Sequence, residues 1–250
     1  MTMRIAVMRP FVCHSQRLKH PGAYFYAKLG GIIMDERTKK LTTLAMLCAL
    51  AYIAVAVFRI PVVLFLKYDP KDVIIAIGGI IYGPLPAFIV ALLVSLVEML
   101  TLSGTFIWGF MMNVLSSSAF AVTAAYVYKH DHSLKGAVKG LVLGVALMVS
   151  MMLLWNYIVT PIYMGLPRTA VAEMLLPYFL PFNLLKGSLN AVITMLLYKP
   201  VVQTLRRAAL VPAGEQAPAG KINTAIPLVS ALVLVCCILV LLILNGTIHL

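Results

Sequence analysis

The sequence is short of charge. Only 8 of its 250 residues are acidic and only 11% are charged, against about a quarter in a soluble domain. So few charges cannot coat a water-facing surface, which excludes an ordinary soluble enzyme. Cysteine is also sparse. Cys13, Cys48, Cys236 and Cys237 form no CxxC pair, and no histidine stands at metal-ligand spacing. That excludes a disulfide-stapled fold and a zinc site, so no metal and no cofactor is expected. The chain lacks a P-loop, an HExxH and a GxSxG sequence, and so lacks the usual machinery of ATP or ester hydrolysis. Apolar segments carry neither paired acids nor a series of acids suited to a proton relay. The chain reads as a binder without a motor of its own, with no catalytic residue.

What it has instead is hydrophobic length. Apolar residues make up 62% of the chain, in continuous rather than alternating runs, which points to an all-α integral membrane protein and away from a β-barrel. The net charge of +12 comes from 20 bases. They lie in short segments between the apolar runs, so they read as a topology signal rather than a nucleic-acid footprint.

The organisation follows. Residues 1–37 form a basic tail, cytoplasmic or outside the fold. Residues 38–207 form the membrane domain, with apolar runs at Leu41–Phe58, Val73–Leu100, Phe106–Tyr128, Gly140–Ile158 and Pro181–Tyr198. Residues 208–221, with Pro212, Gly214, Pro218 and Gly220, form a flexible linker. Residues 222–250 hold an additional transmembrane helix at Ala225–Leu244.

The 28 residues of Val73–Leu100 are too long for one comfortable span and too short for two full ones. Charge arbitrates. Two short helices turning at Gly83-Pro84 place 15 bases inside and 4 outside, whereas one helix gives 9 and 10. The positive-inside rule selects two helices, hence six spans up to Tyr198 with a cytoplasmic N-terminus. The preceding loop, Arg59–Lys71, contains the apolar run Pro61–Leu66. It is too greasy for a free loop and is expected to dip back into the protein beside an outward-facing pocket.

Polar side chains in such runs are costly and each needs a reason. Asn183, Lys186, Asn190 and Thr194 fall at i, i+3, i+7 and i+11, one face of a helix. One ammonium with carboxamides can grip a ligand rich in carbonyl and amide groups. The alternatives are a lysine that snorkels to the interface and asparagines that bond between helices. Asn156 lies at a depth similar to Asn183. Its neighbours Trp155 and Tyr157 suit an interfacial aromatic belt. Glu98 reads as a cap or an ion-pair member, with Lys186 one candidate partner. Asp69, beside Tyr68, reads first as an N-cap for the second helix. Ala45 and Ala49 form a small-xxx-small pair, suited to close approach of another helix or to internal packing.

Three blocks then resemble one family. Leu66–Val73 with Gly78-Gly79 and Tyr82–Pro84, Asn156–Gly165, and Leu180–Gly187 with Leu176-Pro177 and Asn190 are similar, in order, to riboflavin-specific S components of energy-coupling factor (ECF) transporters, the RibU family. The resemblance covers about Thr38–Arg207. It implies a six-helix bundle that binds riboflavin, or its phosphate FMN, from outside. It further implies docking on a membrane coupling subunit driven by two cytoplasmic ATPases, in the cell membrane and its lipid. Asn156, Asn183 and Lys186 would then hold the ring edge, and Leu66–Asp69 would close over the ligand. Ala45 and Ala49 would meet the coupling subunit. The apolar end of the ring suits Leu66 and Met164, and a fixed charge at Lys186 disfavours cationic vitamins. The basic tail and seventh span depart from the six-helix plan. Other readings are an S component for another small vitamin and a membrane assembly factor that binds no small ligand.

Overall fold

A computed structural model describes residues 36–208, apart from Leu64, Phe65 and Ser103. The N-terminal tail, nearly all of the linker and the seventh span lie outside the described residues.

Helix α1 covers Glu36–Val57. A two-stranded antiparallel hairpin follows, β1 (Ile60–Val63) and β2 (Leu66–Tyr68), with Ile60 opposite Tyr68 and Pro61 opposite Lys67. Proline is tolerated there because a two-stranded sheet is all edge. This hairpin is the greasy loop expected to dip inward, and it does so as strands. Val62, Leu66 and Tyr68 pack with Phe182, Leu185 and Leu189.

Helix α2 (Lys71–Tyr82) and helix α3 (Pro84–Thr101) replace the single long run. The break sits where the charge arithmetic put it. Gly83 adopts φ +97°, a backbone that favours glycine, and its N–H closes on the Gly79 carbonyl at 2.7 Å. Pro84 then opens α3, where its missing N–H costs nothing. The two helices are unequal. At 12 residues α2 spans about 18 Å, too short to cross a bilayer. Most of α2 is buried, from Lys71 to Ile80, so it needs no full span of its own; the other helices shield it from lipid.

Helix α4 (Phe106–His130) and helix α5 (Leu134–Ile158) form a tight pair. Gly140 and Gly144 permit it. A Cβ at either would stand 2.8 Å and 2.6 Å from the carbonyl oxygens of Ala124 and Phe120, the close approach that small residues allow in membranes. Ser133 caps α5 by accepting from the Gly136 N–H at 3.0 Å. A short α6 (Thr160–Met164), α7 (Arg168–Met174), a π-helical turn (Leu175–Phe179) and the long α8 (Leu180–Arg207) complete the chain.

Among the described residues, five helical stretches are long and apolar enough to cross a membrane: 37–57, 84–101, 106–130, 135–158 and the continuous 168–205. With α2 they make the six-helix bundle. The exterior is greasy, with Leu85, Leu100, Phe106, Val142 and Leu176 among its exposed side chains. The interior between α2, α3, α4 and α5 is rich in alanine (Ala76, Ala87, Ala91, Ala121 and Ala124). Apolar outside and polar groups gathered within is the arrangement a lipid solvent selects.

Candidate functional site

The polar groups of the bundle collect at the hairpin end. Lys186 on α8 is buried, not snorkelling. Its Nζ lies 3.3 Å from Asp69 Oδ2 and 3.7 Å from Asp72 Oδ2. Asp72 in turn accepts from Ser117 Oγ at 2.5 Å and from Asn190 Nδ2 at 3.3 Å. Asn190 Oδ1 accepts from the Tyr68 hydroxyl at 2.9 Å. Beside this set, Lys71 pairs with Glu98 and stands 4.0 Å from Asp69. Arg59 reaches Glu98 at 3.3 Å and donates to the Leu102 carbonyl at 3.0 Å. Three bases thus meet three acids, and all of them but Arg59 are buried. Unpaired, a buried charge there would be costly; each of these groups has an opposite charge beside it.

Two expectations are corrected by this network. Glu98 does not pair with Lys186; it is taken by Lys71 and Arg59, which enter from the hairpin side. Asp69 does not cap α2 either. Pro70 occupies the cap position without a side-chain bond, and the Asp69 carboxylate is drawn to Lys186. Burial alone would push the Asp69 carboxyl up. The Lys186 and Lys71 ammonium groups and the Arg59 guanidinium outweigh it and hold the carboxyl below its ordinary value.

A cavity of about 330 Å³ opens beside the network, near the lower end of the small-molecule range. Leu66, Asp69, Asn156, Met164, Asn183 and Lys186 all line it. Six of the eight side chains singled out as ligand contacts, scattered over 121 positions of sequence, therefore share one wall. Tyr68 and Asn190 do not. They stand behind the wall, where they brace Asp72 and the hairpin.

Two of the cavity asparagines, Asn156 and Asn183, spend part of their capacity locally, on groups four positions away in sequence rather than across the bundle. Asn156 donates to the Met152 carbonyl at 2.8 Å and accepts from Thr160 at 2.9 Å. Asn183 donates to the Phe179 carbonyl at 2.8 Å. These bonds fix the carboxamides in place, and each retains capacity for a ligand. The Asn183 anchor lies on the π-helical turn, the kind of helix irregularity that is frequent at functional sites.

Other wall residues escaped the sequence reading. Asn113 and Ser116 on α4 line the cavity, and Ser117 beside them holds Asp72. Their i, i+3, i+4 spacing inside an apolar run was the available signal. Trp108, Trp155 and Arg59 also line it. Trp155 therefore does not serve as an interfacial belt residue, since it turns to the cavity; Tyr157 is exposed on the outside. Ala45 and Ala49 lie far from this chemistry in character. Both are exposed on α1, among the exposed Met46, Leu50 and Ile53, so internal packing does not account for them.

The fold and its cavity have relatives. Residues 39–198 match the family described as "ECF transporter, substrate-specific component". The chain is 29% identical to the riboflavin transporter RibU of Staphylococcus aureus (strain TCH60), over 69% of this chain and 95% of that protein. It is 28% identical to the riboflavin transporter FmnP of Bacillus subtilis (strain 168), over 69% and 98%. A solved structure reported under "Structure and mechanism of the S component of a bacterial ECF transporter" superposes with a TM-score of 0.59 at 29% identity, over 68% of this chain and 99% of that one. A cavity of apolar and polar side chains, walled in part by a hairpin, inside a greasy six-helix bundle whose sequence matches that family over most of its length, makes this chain a multi-pass membrane protein belonging to the substrate-specific components of ECF transporters.

Proposed function

We propose that the chain is the riboflavin-binding subunit of an ECF uptake system. The observation that carries this is the convergence of Lys186, Asn183 and Asn156 on one apolar-walled cavity. The relatives named as riboflavin transporters support it.

The chemistry of the wall suits a flavin edge. Lys186 has three N–H donors, and its two carboxylate partners leave one for a ring carbonyl. Asn183 Oδ1 is suited to accept from the imide N–H, and the second amide hydrogen of Asn156 to reach another carbonyl. Leu66, Met152, Met164 and Phe182 give the dimethylbenzene end an apolar surface. Asp69 and Asp72 offset the charge of Lys186, so this part of the cavity suits a neutral ring rather than an anion. Lys67, also in the wall, adds a cation beyond the three paired bases, beside Arg59. The two favour a second ligand, the phosphate-bearing flavin FMN.

Entry follows from the hairpin. Its residues Leu66 and Asp69 form part of the cavity wall, and Asp69 ties it to α8 through Lys186. Loading requires the hairpin to part from α8 and return. The positive-inside rule puts this end outside the cell membrane and the N-terminus in the cytoplasm. The exposed Ala45 and Ala49 offer α1 to the coupling subunit, and separate cytoplasmic ATPases supply the work. Delivery inward by tilting of the whole body rests on analogy with the family.

The test is a riboflavin titration of the purified chain, followed by flavin fluorescence and the visible spectrum. Saturable binding at one site is expected. A ligand-free preparation that ignores added riboflavin ends this reading.

A further inference from the structure

Helix α4 brings a polar pair to the cavity that the ion-pair network does not use. Trp108, Gly109, Met112, Asn113 and Ser116 line the wall, and their spacing of i, i+1, i+4, i+5 and i+8 makes one face of α4. Asn113 is 8% exposed and Ser116 4%. Neither side chain has a hydrogen-bond partner among the described residues. The sealed polar atoms that lack a partner lie elsewhere, on Ser95, Ser118 and Trp155 among others. The Asn113 carboxamide and the Ser116 hydroxyl therefore keep open surface, and the space they line is the cavity. Ser117 beside them differs: it donates to Asp72, which fixes this stretch of α4 against the network. Asn156 and Asn183 differ too, since each is held by a bond four positions away. Asn113 is not held in that way.

A carboxamide and a hydroxyl each donate and accept, and neither carries charge. A ligand that fills the cavity displaces water from them, and affinity is lost unless the ligand reproduces the bonds of that water. A chain of hydroxyl groups does so best, because each of its groups also donates and accepts. The fixed carbonyls of a ring edge are matched instead by Lys186 and the anchored carboxamides of α5 and α8. We propose that Asn113 and Ser116 are specificity-determining residues that hydrogen-bond the hydroxyl groups of a polyol side chain, the ribityl chain of riboflavin. This rests on the riboflavin reading above. It gives the ring and the chain different walls, α5 and α8 for the ring and α4 for the polyol, and it makes the site discriminate between flavins that carry and flavins that lack the hydroxyl groups.

The experiment compares the full chain with Asn113→Leu, which keeps the bulk and removes the amide, and with Ser116→Ala, which removes one hydroxyl. Each is purified and titrated, by flavin fluorescence, with riboflavin and with lumiflavin, which has the same ring and a methyl group in place of the ribityl chain. The natural chain binds riboflavin more tightly than lumiflavin. Each substitution weakens riboflavin binding about 3- to 10-fold, the worth of one neutral hydrogen bond. Lumiflavin affinity stays unchanged, which also shows that the altered chains are folded. If the substitutions weaken both flavins alike, the two residues serve the ring or the fold, and the polyol assignment is overturned. If they leave riboflavin affinity unchanged, or if the natural chain binds lumiflavin as tightly as riboflavin, that assignment is likewise overturned and the riboflavin reading stands. If the natural chain binds neither flavin, both fall.

Discussion

Helices α1 and α8 are both long and apolar, yet they use their odd residues in opposite directions. On α8 the exceptions are polar and point inward: Asn183, Lys186, Asn190 and Thr194 are all buried. On α1 the exceptions are small and lie outward: Ala45 and Ala49 are exposed beside Met46 and Leu50. In a lipid solvent a buried ammonium needs carboxylates, and α8 recruits them from the hairpin and α2. An exposed alanine needs nothing, and what it offers is room for another helix. On the function proposed above, the contrast separates ligand capture from partner docking along one chain.

The separation can be broken from the α8 side with the largest effect. Asp72→Ala leaves Ser117 and Asn190 without their shared acceptor and Lys186 with Asp69 as its one close carboxylate. Breaking a buried pair costs about 3–5 kcal/mol, so thermal unfolding in detergent should shift down strongly. Unchanged unfolding would mean that water, not protein, satisfies this network. Lys186→Ala comes next. It should weaken riboflavin binding by about 1.5–3 kcal/mol, the worth of a hydrogen bond to a charged group, as read by fluorescence titration. Unchanged affinity would remove Lys186 from the ligand contacts.

The α1 side sharpens the contrast by splitting two readouts. Ala49→Trp fills the space a partner helix needs, and uptake into cells should be lost while binding by the purified chain is kept. Uptake that survives this change would sever Ala49 from docking. The smallest expected effect is that of pH on the hairpin anchor. The Asp69 carboxyl is held below its unfolded value in the folded chain. Its contribution is therefore fully present above about pH 3.9 and fades only as pH falls through the lower folded value. Riboflavin affinity should stay flat from about pH 7 to about pH 5, and a loss across that interval would point to a different titrating group.

Much of this was legible in advance, for physical reasons. The break at Gly83-Pro84 announced itself twice, through turn-forming residues and through a charge balance that only two helices satisfy. Lys186 and its asparagines were visible because hydrocarbon penalises them, so their presence on one face demanded a use. The ion-pair partners were not visible. Asp69 and Lys186 are 117 positions apart, and a local reading gave Asp69 the commoner task of capping a helix. The hairpin was hidden by Pro61, which argues against a strand unless the strand lies at an edge. Asn113 and Ser116 were overlooked because small polar residues are unremarkable in membrane helices. Trp155 was misplaced because sequence alone cannot say which way a tryptophan near a helix end will turn.

The central claim is that the buried ammonium and carboxamides beside the hairpin form one grip for a flat flavin. The most direct measurement is a high-resolution structure of the chain with riboflavin added. The account predicts ring density between α5 and α8, with a carbonyl oxygen within hydrogen-bond reach of Lys186 Nζ and the imide nitrogen within reach of Asn183 Oδ1. Flavin bound elsewhere on the bundle, with Lys186 still wholly engaged by Asp69 and Asp72, would contradict it.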